Sequence, residues 1–358
     1  MTTLSVSALK FSSLAVLLLI FLSQTFAFHK NVQRASYFIS DTKLQAITAA
    51  NAMIRKAKMK EVDALKKQIE IDGEKSPINL YLKSGNFVDD YGGPIPFIET
   101  VFNRFKSVTV MPEYSKKVKT GFIMGMPEPE IMGTMLRDAG ARSVVVCLDS
   151  RIGGATIEDF RRFVRDQSRS RKLLPGPISV VWNDHIVDNL QIAHAGSMGA
   201  SAITLNPDIT DDLKEQVQYC KNLDIEPIVM IRSVEDGETA LSYGAKTLCL
   251  HMLEEPDLLL IKSKLSLKYK DIIYIARLRP ESEYSCYAEI DLAWTLRDNG
   301  FSVIWPSPEA VYTTGFLDLY VILQAFKSKA SRQFLSPRQY MMERKKEGAT
   351  EYLGDILY

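Results

Sequence analysis

Residues 138–147 read Asp-Ala-Gly-Ala-Arg-Ser-Val-Val-Val-Cys, so that a glycine able to end a helix stands just before a run of valines. Glycine fits the left-handed position that closes a helix, and a parallel strand covered on both faces requires a near-continuous apolar run. The same order recurs three times: Gly199 before Ala202–Leu205, Gly244 before Thr247–Leu250, and Gly300 before Ser302–Trp305. The pattern predicts helices that alternate with buried parallel strands.

Eight apolar runs of strand length lie along the chain, spaced roughly 20–35 residues apart, and an amphipathic helix pattern follows each of them. They are Ser107–Met111, Ser143–Cys147, Ile178–Trp182, Ala202–Leu205, Glu226–Ile231, Thr247–Leu250, Ile272–Ala276 and Ser302–Trp305. Eight such units over roughly 250 residues predict an α/β fold, a (β/α)8 TIM barrel. A doubly wound open sheet has the same local pattern and stays an alternative, because periodicity does not show closure.

The composition is that of a globular protein and does not favour nucleic acid as an obligatory partner. With 46% hydrophobic and 24% charged residues, 358 residues can bury a large core. A formal net charge of +1 argues against nucleic acid as an obligatory partner. The four cysteines have no paired spacing, which favours buried thiols over disulfides. His185 and His194 lack further metal ligands at suitable spacing, and no glycine motif indicates a nucleotide, so no metal or cofactor is expected.

Residues 1–40 have the composition of a targeting segment. No Asp or Glu precedes Asp41, and Lys10 stands before the apolar run Leu14–Leu22, which is followed by Thr25-Phe26-Ala27. About nine apolar residues reach only ~14 Å as a helix, too short for a membrane span, so a signal peptide is expected. The basic, acid-free stretch that follows is typical of a transit peptide. The two in tandem resemble the bipartite presequences of algal plastids, with secretion as the alternative location.

The rest of the chain divides into three segments. Residues 41–100 are expected to hold an N-terminal helix, with apolar residues at helical spacing, and a glycine-rich loop, both packed on the barrel. Residues 101–330 form the barrel itself. Residues 331–358 form a C-terminal extension, in which Ser336-Pro337 can start a helix. This extension either docks back on the barrel or binds a protein partner.

Polar residues occupy the ends of the predicted strands, where barrel enzymes carry their chemistry. They are Glu113, Asp149, Asn183, Asp184, Asn206, Arg232, His251, Arg277 and Ser307. Three interpretations stay open: a solvated rim, the binding site of a phosphorylated or carboxylated ligand, and a catalytic site. His251 is a candidate general base because histidine titrates near neutral pH, although a hydrogen-bonded rim histidine is the simpler interpretation.

From about residue 43 to residue 324, the order of motifs resembles the indole-3-glycerol-phosphate synthase family, barrel enzymes of tryptophan biosynthesis. The matching motifs are Lys60–Lys66, Val145–Asp149 with Gly153–Ala155, Asn183–Asp188 with Gln191-Ile192, Gly199–Ile203, and Ile225–Ile231 with Ala240-Leu241. The resemblance implies a carbon–carbon lyase that closes an aryl ring onto a sugar-derived carbonyl, with loss of carbon dioxide and water. It also implies two lysines and several glutamates at strand ends, which move protons.

The positions at which the resemblance implies these catalytic groups carry other residues. They fall on Pro112, Tyr114, Asn183, Met230, His251, Leu253, Ala276 and Arg277. Neighbouring residues are substitute candidates for proton transfer: Glu113, Lys116 and Asp184. The implied phosphate contacts fall on or beside Lys117, Lys119, Arg277 and Ser307, so anion binding is better preserved than catalysis.

Three hypotheses for function follow. The first is an indole-3-glycerol-phosphate synthase-like plastid barrel that has lost or changed its catalysis and binds either a phosphorylated ligand or a protein partner. The second is an active synthase that uses the substitute residues. The third is a scaffold subunit of a plastid complex, which binds through the C-terminal extension and the basic stretch 161–172.

Overall fold

The computed structural model describes residues 48–85, 87, 92–101, 108–118, 121–123, 125–279, 286–312 and 318–328. The chain divides into two compact units, residues 1–56 and residues 57–358. Of the first unit only the helical residues 48–56 are described, and the boundary falls inside the expected segment 41–100. The expected presequence 1–40 and C-terminal extension 331–358 lie outside the described residues.

The elements of the second unit alternate along the chain. The strands are β1 (Thr109–Val110), β2 (Glu113–Tyr114), β3 (Lys117–Val118), β4 (Gly121–Phe122), β5 (Ser143–Cys147), β6 (Ser179–Asn183), β7 (Ala202–Leu205), β8 (Glu226–Ile231), β9 (Thr247–His251), β10 (Ile273–Arg277) and β11 (Val303–Trp305). The helices are α1 (residues 57–72), α2 (Pro77–Ser84), α3 (Phe97–Val101), α4 (Pro129–Asp138), α5 (Ile157–Arg169), α6 (Asn189–Ser197), α7 (Leu213–Asn222), α8 (Val234–Ser242), α9 (Glu255–Lys268), α10 (Tyr287–Asp298), α11 (Pro308–Tyr312) and α12 (Leu319–Lys327).

The parallel sheet closes on itself. Its strand order is β1-β11-β10-β9-β8-β7-β6-β5-β2, and the two end strands are successive pieces of one stretch of chain. Between them, the Met111 N–H donates to the Ile304 carbonyl at 2.8 Å, and the Pro112 carbonyl accepts from the Val145 N–H at 2.9 Å. The stretch 109–114 therefore acts as a single strand paired on both sides. The result is the expected eight-stranded barrel, and the open-sheet alternative is excluded.

The glycines that precede strands hold the backbone conformation that the sequence predicts. Gly140, Gly199, Gly244 and Gly300 all have positive φ, between 76° and 90°. Side chains also cap the first turns of α5 and α8. Thr156 and Ser233 each accept a hydrogen bond from the third helical residue, and that residue returns one. Helix and strand limits are thus fixed locally.

Two apolar layers form the core. One fills the barrel interior, with Met111, Val145 and Ile228 in contact with their counterparts on the other strands. Phe97 and Val101 of α3 belong to this layer and close its amino-terminal end. The other layer lies between the strands and the surrounding helices. No helix of the described part of the chain has the length and apolar character that a membrane span needs.

Gly199 gives a test of this packing. A Cβ on Gly199 would lie 2.7 Å from the Phe87 ring and from Val164, whereas one on Gly244 would meet only the flexible end of Lys221 and the Gln218 amide. Both glycines have φ near +90°, so alanine should cost about 1–2 kcal/mol at Gly244 from backbone strain alone. Gly199→Ala should cost about 1–3 kcal/mol more, because the core there is overfilled. Urea unfolding of both variants measures this difference, and equal losses would contradict it.

Candidate functional site

A cavity of about 480 Å³ opens at the carboxyl ends of the barrel strands. Eight of the nine predicted polar residues line it: Glu113, Asp149, Asn183, Asp184, Asn206, His251, Arg277 and Ser307. The ninth, Arg232, instead pairs with Asp208 at 3.1 Å, where both side chains are about half exposed. The barrel geometry brings these eight strand-end residues around one cavity.

An ion pair lies in the lining of the cavity. The Arg277 guanidinium donates to the Glu113 carboxylate at 3.2 Å, and the Trp305 indole N–H donates to the same oxygen at 3.1 Å. Arg277 also lies over the Trp305 ring, 4.2 Å from its centre, in cation–π geometry. Glu113 is only 2% exposed. Its carboxylate is therefore oriented by two donors of the protein itself.

A lysine from the N-terminal helix lies behind one wall of the cavity. The Lys58 ammonium is 2.7 Å from Asp184 and 3.6 Å from Asp149, and it bonds Glu61 of its own helix at 2.8 Å. Lys58 is 2% exposed. A buried charge is tolerated only when it is paired and hydrogen-bonded, and these carboxylates meet that condition. The interaction anchors α1 to the ends of β5 and β6.

The two carboxylates that share Lys58 differ in proton affinity. Burial opposes ionisation of Asp149, but hydrogen bonds from the side chain and N–H of Arg151 hold its pKa well below the usual range. Burial raises the pKa of Asp184 to about 6, against the pull of Lys58. Burial alone would lower the pKa of Lys58, and the Asp184 carboxylate raises it instead. Asp184 thus has a pKa in the range that suits general acid–base chemistry.

The uncharged polar groups of the cavity have mostly internal partners. The Asn183 amide oxygen accepts from the Thr204 hydroxyl at 2.9 Å, and the Asn206 side chain accepts from the Asp208 N–H at 3.1 Å. His251 differs, because its buried Nδ1 has no hydrogen-bond partner among the described residues. Burial, together with neighbouring arginines, lowers the pKa of His251 to about 3, so the imidazole is neutral at pH 7. It cannot act there as a general acid.

The donors of Ser307 are already occupied by a carboxylate. The Ser307 N–H donates to Glu289 Oε2 at 2.9 Å, and the hydroxyl donates to Glu289 Oε1. Glu289 belongs to α10 and is 2% exposed. The sequence resemblance implies that Ser307 contacts a phosphate. In the structure its N–H and hydroxyl bind the Glu289 carboxyl group instead.

The predicted lysines have separate positions. Lys116 pairs with Asp159 at 2.7 Å, at the start of α5, and does not line the cavity. Lys117 lines the cavity and donates to the Ser150 carbonyl at 2.8 Å. Lys119 lies outside the described residues. Arg277, the remaining predicted phosphate contact, forms the ion pair with Glu113.

Sequence reasoning missed three residues that shape the site, Lys58, Trp305 and Glu289. A signal for Lys58 exists, because it stands four residues before the buried Val62 and therefore on the same helix face. A lysine within an apolar stripe indicates a buried partner of opposite charge. No comparable local signal marks Glu289 or Trp305, since their partners are far away in the sequence.

No family model matches the chain. Two curated proteins are similar to part of it, and both are named indole-3-glycerol phosphate synthase. The protein from Methanothermobacter marburgensis is 30% identical over 107 residues, which cover 30% of this chain and 35% of the relative. The protein from Aquifex aeolicus is 27% identical over 120 residues, which cover 33% of this chain and 43% of the relative. The matched region thus spans between a third and a half of these relatives.

Solved structures give weaker likenesses. A 4-hydroxy-2-oxoglutarate/2-dehydro-3-deoxyphosphogluconate aldolase has a TM-score of 0.47 at 10% identity, covering 65% of this chain and 98% of its own. Thiamine phosphate pyrophosphorylase from Pyrococcus furiosus has a TM-score of 0.42 at 14% identity, and the match covers 63% of this chain and 100% of that protein.

Three carboxylates that line the cavity are paired with cations of the protein. Glu113 is paired with Arg277, Asp149 with Arg151, and Asp184 with Lys58. Within the described residues, no group of three His, Cys, Asp or Glu side chains is placed to hold a metal ion. The arrangement orients side chains firmly but leaves few charged groups available to a ligand.

Removal of Lys58 tests the anchoring interaction. Lys58→Met should lower the free energy of unfolding by about 3–5 kcal/mol, because Asp149 and Asp184 lose the ammonium that they share. Lys66→Met is the matched control on the same helix. Lys66 is about half exposed and pairs with Asp188 at 3.3 Å, so its loss should cost about 0–1 kcal/mol. Similar losses for the two variants in urea unfolding would show that Lys58 does not anchor α1.

His251 predicts a pH effect on stability. Its pKa is about 3 in the folded chain and 6.5 in the unfolded chain, so the unfolded chain binds the extra proton as the pH falls below 6.5. The stabilisation is complete above pH 6.5 and is lost towards pH 3, by at most about 1.4 kcal/mol per pH unit. His251→Gln should flatten this slope. A His251 resonance that titrates near pH 6.5 in the folded protein would contradict the prediction.

Proposed function

We propose that this chain is an indole-3-glycerol-phosphate synthase-like barrel that does not close the indole ring. One observation carries the proposal: the carboxylate at the end of the first strand, Glu113, is held by Arg277 and Trp305. Ring closure needs an ammonium and carboxylates that meet the substrate. Here Glu113 is paired with Arg277, and Asp184 is paired with Lys58.

The state of the phosphate contacts supports the same proposal. Both donors of Ser307 bind Glu289, and a phosphate would have to displace this buried carboxyl group to reach them. Arg277 is likewise engaged with Glu113. A ligand of the cavity is therefore expected not to place a phosphate at Ser307, unlike the phosphorylated ligand that the sequence resemblance implies.

Asp184 favours a second candidate function, an active synthase. Its raised pKa, about 6, suits proton transfer, and Lys58 supplies an ammonium at the same wall. Against this candidate, Lys58 is almost fully buried and does not line the cavity. The scaffold hypothesis rests on the C-terminal extension, which lies outside the described residues, and on the basic stretch 161–172. In that stretch Arg162 pairs with Glu130 at 2.7 Å and Arg161 pairs with Glu158 at 3.3 Å.

An assay with the synthase substrate separates these candidates. The purified chain from about Ser36 onward, incubated with the carboxyphenylamino-deoxyribulose phosphate, should give no indole fluorescence above that of a buffer blank. A bacterial synthase assayed in parallel controls for the substrate. Turnover that Asp184→Asn or Glu113→Gln abolishes, while Lys66→Met retains it, would establish the active synthase and overturn the proposal.

The proposed location is a plastid, supported by the order of the two targeting signals in residues 1–40. Fusion of residues 1–40 to a fluorescent protein should direct it to the plastid of an alga whose plastid lies inside extra membranes. Fusion of residues 1–27 alone should send the reporter into the secretory pathway, because the transit-type part is missing. Secretion of both fusions would favour the alternative location.

A further inference from the structure

A second cavity, of about 250 Å³, lies at the opposite end of the barrel from the candidate site. Its lining comes from segments that lead into strands, including Gly140–Arg142 before β5 and Pro175-Gly176 before β6. Lys327, at the end of α12, also lines it. All of these residues lie at the amino ends of the strands, so this cavity is separate from the site described above.

Within the part of the chain that the structure describes, the second cavity carries unbalanced positive charge. Arg137 is neutralised by Asp166, but Arg142 and Lys327 have no carboxylate within 4 Å among the described residues. The Lys327 ammonium donates to the Gly140 carbonyl instead. Burial and the nearby Arg142 lower the pKa of Lys327 to about 8. An anion between the two cations would relieve this repulsion.

Two exposed leucines adjoin the cavity. Leu173 is 56% exposed and Leu174 is 97% exposed, and Pro175, the next residue, lines the cavity. Arg171 and Lys172 precede the leucines and are exposed as well. The sequence contains no Asp or Glu from residue 167 to residue 183. Apolar and cationic groups are thus combined on one face, which we call the basal surface: Arg142, Arg171, Lys172, Leu173, Leu174 and Lys327.

The basal surface fits a lipid bilayer better than a protein partner. A stable protein interface buries about 800 Å² per partner and is depleted of lysine at its centre, whereas this surface offers two leucines among cations. Leucines that enter the boundary between headgroups and acyl chains, beside cations that meet anionic headgroups, are typical of peripheral membrane binding. We propose that the basal surface docks on an anionic bilayer, with a lipid phosphate between Arg142 and Lys327.

The expected affinity is that of a reversible peripheral protein. Each leucine removed from water contributes roughly tenfold or more to the partition coefficient, and each cation near an anionic surface contributes about fivefold. Insertion of Leu173 and Leu174 supplies the apolar share of the binding free energy, which added salt does not weaken. The cations supply the electrostatic share, which added salt screens.

Vesicle sedimentation with the purified chain tests the proposal. The protein should sediment with vesicles that contain about 30% phosphatidylglycerol and not with pure phosphatidylcholine, because the cations need an anionic surface. The double variant Leu173→Ser/Leu174→Ser should bind at least about tenfold less. Leu260→Ser is the control, since this leucine is 50% exposed on the side of the barrel, in α9. Arg142→Gln should remove much of the preference for anionic lipid.

Four outcomes would overturn the proposal. The first is the absence of binding to anionic vesicles. The second is an equal loss of binding for Leu260→Ser and for the Leu173/Leu174 variant. The third is a rise in melting temperature with inorganic phosphate, abolished by Arg142→Gln, in a protein that does not sediment with vesicles, which would assign a free-phosphate site. Retention on immobilised polyglutamate but not on vesicles would replace the bilayer with an acidic protein.

Discussion

Charges taken out of water at the mouth of the barrel must be paired inside the protein, and this constraint organises the candidate site. Lys58 is buried against Asp184 and Asp149, and Glu113 is buried against Arg277 and Trp305. An unpaired ion in such surroundings is strongly unfavourable. The pairs that neutralise these buried charges also determine the chemistry of the cavity, because a carboxylate bound by an internal cation is not available to a substrate.

The fold was predictable because its determinants are local. The apolar run before Cys147 and the left-handed glycine at Gly140 lie within a few residues of each other, and the structure has both as expected. Closure of the barrel was not predictable in this way. It depends on two hydrogen bonds of the stretch 109–114. The Met111 N–H bonds β11 on one side of this stretch, and the Val145 N–H of β5 bonds it on the other side. Periodicity is the same in an open and a closed sheet.

The site was predictable in position and much less in its interactions. Strand-end residues such as Asp149 and Arg277 line the cavity because parallel strands all end at one edge. Their partners come from elements distant in the sequence, such as Lys58 from α1 and Glu289 from α10. The resemblance to indole-3-glycerol-phosphate synthases identified which groups are replaced. It gave no indication that internal ion pairs occupy the places of the missing contacts.

A crystal structure of the chain with a reduced, non-cyclising analogue of the synthase substrate tests the central claim most directly. The account predicts that Glu113 keeps its bond to Arg277 and that Ser307 keeps its bonds to Glu289, with no phosphate between them. An analogue phosphate bound to the Ser307 N–H, with Glu289 displaced and Glu113 turned towards the ligand, would contradict it.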